Sequence, residues 1–289
     1  MLRRISVFDL CVAFFLFLLM LLVVLPFGYI IAVSFSAPSE SLAGNFYLWP
    51  KEWNDDAYRY LLSTSRFTNA IWNSVVLTVG GTIVNLIVSI TISYSVSKKF
   101  LPGRQFLMMM IFFTMIFHSG LIPQYLLVQS LGLNNTYWAL ILIGATNAFT
   151  IMVMKTFFQG LPESLDEAAR MDGAGEWRIL LRIILPLSMP IIATFALFFI
   201  VAHWNEFFNA IIYLNDTARW PVQPLLRQMV IIGSSNIANE GALEQDLAAS
   251  LGPNVKMAAM LIAMAPLAAI YPFLQKYFQK GALLGSVKE

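Results

Sequence analysis

The sequence predicts an all-α integral membrane protein with six transmembrane helices. Of its 289 residues, 58% are hydrophobic and only 12% are charged, which is too apolar for a soluble domain of this size. Its apolar stretches are long enough to cross about 30 Å of hydrocarbon and do not alternate as barrel strands would. Because the backbone in lipid must satisfy its own hydrogen bonds, these stretches are predicted to be helices. They lie at about 8–34, 71–96, 105–128, 137–159, 187–213 and 257–277.

The distribution of positive charge predicts the orientation of these helices. Cytoplasmic loops carry the excess of Lys and Arg, and an orientation with both termini inside puts twelve of the eighteen basic residues on inner segments. The first span follows Arg3 and Arg4, but its apolar run from Phe8 to about Phe35 is too long for a cleaved signal peptide. We therefore expect an uncleaved first helix and an N-in, C-in topology.

This topology divides the chain into three parts. Residues 1–70 contain the first transmembrane helix and an outer segment. Residues 71–277 form the core of the membrane domain, with a cytoplasmic loop at 160–186 and an outer loop at 214–256. Residues 278–289 are predicted to form a short cytoplasmic tail.

Two spans contain residues that favour close contacts or a break. Gly80 and Gly81 in the second span are small enough to let another helix approach closely. The third span is interrupted near Gly120 and Pro123. Since irregular backbone at membrane depth must face protein or water, this break either lines a cavity together with His118 and Gln124 or is a packed proline kink. The sequence leaves both alternatives open.

Three polar residues in the fourth and fifth spans are candidates for a pathway through the membrane. Asn147 lies within the fourth span, and Asn205 and Glu206 lie near the outer end of the fifth. A carboxylate at the border of a span is a functional candidate. Alternatively, Asn147 holds helices together and Glu206 is simply hydrated at the outer face.

A polar segment from Pro162 to Pro186 separates two apolar stretches on the predicted cytoplasmic side. It contains Glu167-Ala168-Ala169, then three residues, then Gly173, then nine residues, and finally Ile183-x-Leu185-Pro186. A solvated loop could contain the first three residues by chance. The whole spaced pattern between two apolar spans instead favours a short helix onto which a partner protein docks.

Local signals predict where this docking helix begins and ends. Pro162 suits the first turn of a helix, and Ser164 with Glu167 matches the S-x-x-E capping box; only one of them can mark the start. Gly173 predicts the C-terminal end, since glycine tolerates the left-handed backbone that ends many helices. The small side chains of Ala168-Ala169 are expected to let a partner surface approach closely.

The sequence lacks the motifs of common enzyme classes. It has no G-x-x-x-x-G-K-[ST] phosphate loop, no H-E-x-x-H and no G-x-S-x-G. Cys11 is its only cysteine and it has two histidines, which is too little material for a disulfide, a metal cluster or a catalytic triad. We therefore predict no catalytic residue, no metal site and no enzyme activity.

The segment Glu167–Pro186 resembles the EAA loop of ATP-binding-cassette (ABC) importer permeases. Weaker similarities over nearly the whole chain resemble the carbohydrate branch of that family, specifically the permease subunit of the maltose-transporter G type. These stretches are Asn73-Ser74, Ile122–Leu127, Leu131–Tyr137, Trp204–Phe208 and the tail Lys280–Lys288. The resemblance implies the MetI-like fold of type I importer permeases in a multi-pass protein of the bacterial inner (plasma) membrane.

The resemblance also implies partners. A second, different permease subunit, two ATPase subunits, an extracytoplasmic solute-binding protein, membrane lipid and a sugar substrate are expected, but no nucleic acid. No cofactor is expected in this chain, because ATP and Mg would be bound by the ATPase subunits. The implied ATPase-coupling residues are Glu167, Ala168, Ala169, Asp172, Gly173, Ile183, Leu185 and Pro186, and the implied tail contacts to the ATPase are Gly281, Gly285 and Lys288.

Two other functions remain open at this point. One is an importer permease for a non-sugar solute such as a peptide or an amino acid. The other is an ion-coupled secondary carrier, which would need buried ionisable residues or broken helices in two related halves. The predicted spans have almost no charges at depth and the sequence shows no clear internal repeat, so the carrier is disfavoured.

Overall fold

The structure, a computed structural model, describes residues 7–117, 119–232 and 252–286. Within these ranges the regular structure is helical, apart from one isolated antiparallel bridge between Ser36 and Trp53. In chain order the α-helices are α1 (Val7–Ser34), α2 (Pro38–Leu42), α3 (Asp56–Ser63), α4 (Ser65–Ser97), α5 (Arg104–Ile116), α6 (Leu121–Ser130), α7 (Tyr137–Ile143), α8 (Ala148–Gln159), α9 (Glu163–Met171), α10 (Glu176–Ile179), α11 (Leu185–Leu187), α12 (Met189–Trp204), α13 (Phe208–Tyr213), α14 (Val222–Ile232) and α15 (Pro253–Ser286). A π-helical turn, Leu180–Ile184, joins α10 to α11.

Among the described residues, three helices are long and apolar enough to cross a membrane: α1, α4 and the Pro253–Ile270 part of α15. Two bent pairs raise this number to five if each pair is one span. These are α7 with α8, bent by 58°, and Glu176–Leu187 with α12, bent by 84°. The predicted span at 105–128 is divided into α5 and α6, and Gly120 between them has a φ of 78°. The predicted break near Gly120 is confirmed, and it leaves α5 too short to count as a long span by itself.

One compact unit consists of the described residues of Met1–Thr68 and Leu225–Ala265. The buried residues of α1 are confined to its last turn, where the hydroxyls of Ser34 and Tyr58 lie 2.8 Å apart. The rings of Phe35 and Tyr58 stack there with their centroids 4.7 Å apart. Burial raises the pKa of the Tyr58 phenol above its usual value. The outer segment is thus fixed to the end of the first helix.

The other unit consists of the described residues of Asn69–Pro224 and Pro266–Glu289, and two apolar cores form at different positions along α4 within it. The Tyr94 core and the Leu77 core are named after their α4 residues, which are about 25 Å apart along the helix at about 1.5 Å per residue. Buried members of the Tyr94 core are Tyr94, Met154, Phe158, Ala169, Ile179, Leu180, Ile184, Phe195 and Phe199; those of the Leu77 core are Leu77, Val128, Ala139, Leu140, Ile141, Ala210, Tyr213 and Leu214.

The segments predicted as an outer loop and a tail contain more helix than expected. The outer loop at 214–256 includes α14 and the first turn of α15. The helix α15 continues to Ser286 and contains Gly281 and Gly285, which were predicted to lie in a tail. The third predicted tail contact, Lys288, lies outside the described residues.

Candidate functional site

The predicted docking helix is α9, and it begins directly after Pro162, which is its N-cap. No side chain caps this end, so the predicted capping box of Ser164 and Glu167 is wrong. The helix starts early enough that Ser164 is already its second residue, which removes it from the capping position. Glu163 and Asp166 occupy the first turn, where carboxylates interact favourably with the positive end of the helix dipole.

The C-terminal end of α9 is closed by a Schellman motif. The amide of Gly173 donates to the carbonyl of Arg170 at 3.0 Å, and the amide of Ala174 donates to the carbonyl of Ala169 at 2.9 Å. Gly173 has a φ of 73°, a left-handed value that favours glycine, whereas the φ of Gly175 is −73°. The predicted helix end at Gly173 is confirmed, and its geometry explains why glycine occupies that position.

The two alanines of α9 face different ways. Ala169 is buried in the Tyr94 core, whereas Ala168 is exposed. Consecutive helical residues point about 100° apart, so one side chain can face inward while its neighbour faces outward. Ala169 therefore anchors α9 to its own unit, which corrects the expectation that both alanines admit a partner surface. Glu167 and Asp172 are exposed together with Ala168.

Large apolar side chains are exposed at the C-terminal end of α9 and in the helical segment that follows it. Met171 is 89% exposed, Trp177 is 67% exposed and Leu181 is 58% exposed. Apolar groups exposed among charged residues mark interaction surfaces, and tryptophan is a frequent anchor at the centre of protein interfaces. We call the exposed residues Glu167, Ala168, Met171, Asp172, Trp177 and Leu181 the docking face.

After α9 the chain continues through an irregular helix. The four residues of α10, the π-helical turn and the three residues of α11 lead to Ser188, where the chain bends by 84° into α12. Ile183 and Leu185 pack against the Tyr94 core. Pro186 lies inside α11 and is exposed, so the helical segment does not end at Pro186 as predicted but bends at Ser188.

Two lysines after α4 pair with acidic residues of α9. Lys98 donates to the Asp166 carboxylate, and only 12% and 23% of these two side chains are exposed. The second carboxylate oxygen of Asp166 is buried and has no other hydrogen-bond partner in the described part of the chain. Lys99 pairs with Glu163, but those side chains are 75% and 70% exposed. The inner pair is thus shielded from water, whereas the outer pair is solvated.

A second link joins α4 to the start of α10. The Tyr94 hydroxyl donates to the Glu176 carboxylate at 2.8 Å. The same carboxylate accepts from the Arg170 guanidinium at 2.7 Å. That guanidinium also lies over the Phe100 ring, 4.4 Å from its centroid, in a cation–π contact. The residues on either side of the turn at Gly173 are therefore linked to α4 by a polar network.

The C-terminal end of α4 is itself held by polar side chains. Gln159, the last residue of α8, donates to the carbonyl of Ser97 at 3.1 Å, and Arg104 donates to the carbonyl of Val96 at 2.9 Å. These bonds satisfy carbonyl groups that have no partner within the helix. A groove of about 460 Å³, lined by Phe100, Phe158, Glu167 and Arg170 among others, lies between this helix end and α9.

The three pathway candidates make local hydrogen bonds. Asn147 caps α8, where its side-chain oxygen accepts from the amide of Thr150 at 2.8 Å. The side-chain nitrogen of Asn205 donates to the carbonyl of Val201 at 3.0 Å. Glu206 accepts from the side chain and the backbone of Asn209 at 3.2 Å. The structure does not bring the three candidates into one described polar site.

The break after α5 lies beside a recess of about 720 Å³. Gly120 and Gln124 line it, together with Phe208 and Asn209, whereas His118 lies outside the described residues. Of the two alternatives that the sequence left open for this break, the recess favours a cavity lined by Gln124 over a fully packed proline kink.

The family described as "Binding-protein-dependent transport system inner membrane component" matches residues 1–283 of the chain. The chain belongs to this family. Protein LplC of Bacillus subtilis (strain 168) is 45% identical over 282 residues, covering 98% of this chain and 95% of LplC. The polygalacturonan/rhamnogalacturonan transport system permease protein YtcP of the same strain is 46% identical over 283 residues, covering 97% of this chain and 98% of YtcP.

A solved member of this transport class has the same fold. It is a chain of a bacterial ABC transporter involved in the import of the acidic polysaccharide alginate, with a TM-score of 0.86 and 28% identity over 96% of this chain and 98% of that chain. This member of the binding-protein-dependent family is thus a helical, MetI-like, multi-pass protein of the bacterial membrane, and a transport subunit rather than an enzyme. Members of the family work with a solute-binding protein and with ATPase subunits that bind the ATP.

The chain also contains a buried polar contact whose partners could not be predicted from the sequence. The side-chain nitrogen of Asn85 in α4 donates to the carbonyl of Gly144 and to Nε2 of His203, both at 3.0 Å. Because Nε2 accepts this bond, the neutral ring carries its proton on Nδ1. Ser89 donates to Thr146 at 2.8 Å one turn further on. An asparagine in an apolar span was the available signal, but its partners are distant in sequence.

Proposed function

We propose that this chain is one of two different permease subunits of an ATP-driven importer for oligosaccharides. It would form half of the translocation pathway, with a solute-binding protein delivering the sugar from outside. The main support is the similarity to the polygalacturonan/rhamnogalacturonan transport system permease protein YtcP. The two proteins align over nearly the whole of both chains. The likeness to a chain of an alginate importer supports the same substrate class.

The docking face is proposed to fit a cleft of an ATPase subunit on the cytoplasmic side. Glu167 and Asp172 would give polar contacts, Ala168 would permit close approach, and Trp177 would supply an apolar anchor. Closure of the ATPase subunits on ATP would then move α9, and the two permeases would rock between inward-open and outward-open states. The capped, exposed geometry of α9 supports this role.

The substrate class can be tested by uptake. Deleting this chain should abolish uptake of galacturonate or rhamnogalacturonan oligosaccharides, while uptake of peptides and amino acids stays unchanged. Loss of peptide or amino acid uptake alone would identify a non-sugar importer. Solute transport by the purified chain alone, driven by an ion gradient and without an ATPase, would instead identify a secondary carrier.

The coupling role can be tested with two neighbouring glycines. Gly173→Asp places a charged side chain where φ is positive, whereas Gly175→Asp places the same side chain where φ is −73°, and a Cβ meets nothing within 4 Å at either site. We expect Gly173→Asp to lower the amount of solute moved per ATP hydrolysed by at least about five-fold, since a positive φ disfavours a residue with a Cβ and the variant adds a charge at the end of the docking helix, whereas Gly175→Asp should leave this amount within about two-fold of the parent. Wild-type coupling in reconstituted Gly173→Asp complexes would refute the role of α9.

A further inference from the structure

The covalent route from α9 into the membrane is poorly suited to carry a movement. It runs through the Schellman turn at Gly173, a four-residue helix, a π-helical turn and a three-residue helix. It then bends by 84° at Ser188 before the apolar helix α12 begins. Each of these joints can absorb part of a displacement, because short helices and π-turns are held by few or irregular hydrogen bonds.

The lateral route from α9 to α4 is direct. Asp166 in the first turn of α9 pairs with Lys98, and Arg170 in its last turn reaches Tyr94 through the shared carboxylate of Glu176. Both ends of α9 are thus connected to the last turn of α4 or the residue after it. The receiving element is a single helix of 33 residues, Ser65–Ser97, whose C-terminal carbonyls are also bonded.

Along α4 the next polar contacts are those of Ser89, about one and a half turns from Tyr94, and Asn85, about two and a half turns from it. Ser89 bonds to Thr146, and Asn85 bonds to the carbonyl of Gly144 and to His203. Gly144 and Thr146 belong to the break between α7 and α8, and His203 lies in the last turn of α12. A displacement of α4 therefore reaches both bent spans through hydrogen bonds rather than through apolar packing alone.

We propose that α4 receives the movement of α9, with Lys98, Asp166, Tyr94 and Glu176 as the positioning residues that connect them. This proposal rests on the proposed docking of α9 to an ATPase. The pair of Lys98 and Asp166 is the better shielded of the two links, since only 12% and 23% of its side chains are exposed and Asp166 has no alternative hydrogen-bond partner in the described chain. Lys98 and Asp166 attract each other through opposite charges, so exchanging the two charges should preserve the connection.

The test uses the whole importer, purified through a tag on this chain from cells of its source. Cys11 is the only cysteine of this chain, so Cys11→Ser with Ile83→Cys leaves one nitroxide site in this chain, on α4, at a side chain that is 53% exposed. The labelled complex with Cys11→Ser alone gives the signal from any cysteines of the other subunits, which is subtracted. We expect MgATP to change the electron paramagnetic resonance spectrum of this label. Lys98→Asp should reduce the change at least about five-fold, and Lys98→Asp with Asp166→Lys should restore it to within about two-fold of the parent.

Lys99→Asp is the matched control, since the neighbouring Lys99 pairs with Glu163 in a solvated ion pair. This variant should change the amplitude of the ATP-induced spectral change by less than about two-fold. A full ATP-induced change in assembled Lys98→Asp complexes overturns the proposal, as does the absence of any change in the parent when the ATPase is bound. If no ATPase co-purifies with the parent, the proposed function itself fails, so the two failures are distinguishable.

Tyr94→Phe is a milder variant for the case in which Lys98→Asp does not assemble. It removes only the hydroxyl that donates to Glu176 and keeps the ring in its apolar core. We expect at least a two-fold smaller ATP-induced change at the α4 label, with the amount of co-purified ATPase unchanged. An unchanged amplitude in Tyr94→Phe overturns the proposal.

Discussion

Replacing Gly81 by alanine tests the buried contact between α4 and α12. A Cβ built on Gly81 would lie 2.5 Å from Nε2 of His203 and 2.7 Å from its Cδ2 and Cε1 atoms. The imidazole ring must therefore shift, and the same Nε2 is the atom that accepts the hydrogen bond from Asn85. One added methyl group thus both overpacks the helix contact and breaks a buried polar bond.

The size of the effect follows from three contributions. Overpacking a close contact costs roughly 1–3 kcal/mol. Losing the bond between Asn85 and His203 costs about 0.5–1.5 kcal/mol, and the higher helix propensity of alanine returns about 1 kcal/mol. The net loss is on the order of 2 kcal/mol, and at roughly 2–4 °C per kcal/mol the apparent unfolding midpoint should fall by about 4–8 °C.

Gly80→Ala is the matched control, because a Cβ on Gly80 meets nothing within 4 Å. It should leave the midpoint unchanged or raise it slightly. The assay is thermal unfolding of the purified protein in detergent, followed by the loss of the monodisperse chromatographic peak. Equal midpoints for Gly80→Ala and Gly81→Ala would refute the reasoning, as would a Gly81→Ala effect of full size in a His203→Ala background.

Two further substitutions test other contacts. Trp177→Ala should reduce co-purification of the ATPase by roughly ten-fold or more, since truncating an anchoring tryptophan commonly costs about 2 kcal/mol of binding free energy. Trp72 in α4 is similarly exposed, and Trp72→Ala should leave co-purification unchanged. Equal losses in the two variants would argue against the docking face. Ser74→Ala should lower stability by about 1–3 kcal/mol in the same thermal assay, because the buried Ser74 hydroxyl accepts from the amide of Val222 at 2.7 Å. The exposed Ser95, which bonds only within its own helix, is the control, and equal midpoints for Ser74→Ala and Ser95→Ala would contradict this role.

Features set by local chemistry could be predicted from the sequence. The apolar stretches located the helices, and Gly120 and Gly173 marked a break and a helix end because both positions have a positive φ. The first residue of α9 could not be predicted in this way, since Pro162 and Ser164 are both signals for a helix start. Which of them marks the start depends on how the preceding turn packs. Element boundaries are the least certain part of such a reading.

Contacts between distant residues could not be predicted. Lys98 and Asp166 are 68 positions apart, and Asn85 and His203 are 118 apart. From the sequence alone, a lysine at the end of a span that marks the cytoplasmic side cannot be distinguished from one that forms an ion pair, because both require only positive charge at that position. The inward orientation of Ala169 likewise depends on the neighbouring helices that form its core.

The hydrogen bonds of the pathway candidates limit what this chain can offer a solute. The side-chain oxygen of Asn147 accepts the capping bond of α8, and that of Asn205 accepts from Gln223 at 3.3 Å. The Glu206 carboxylate accepts from Asn209. A sugar hydroxyl that bonded to these oxygens would have to share or replace bonds that already hold helix ends. Under the proposed two-permease arrangement, the stronger sugar contacts are therefore expected from the partner permease, with this chain mainly providing shape and movement.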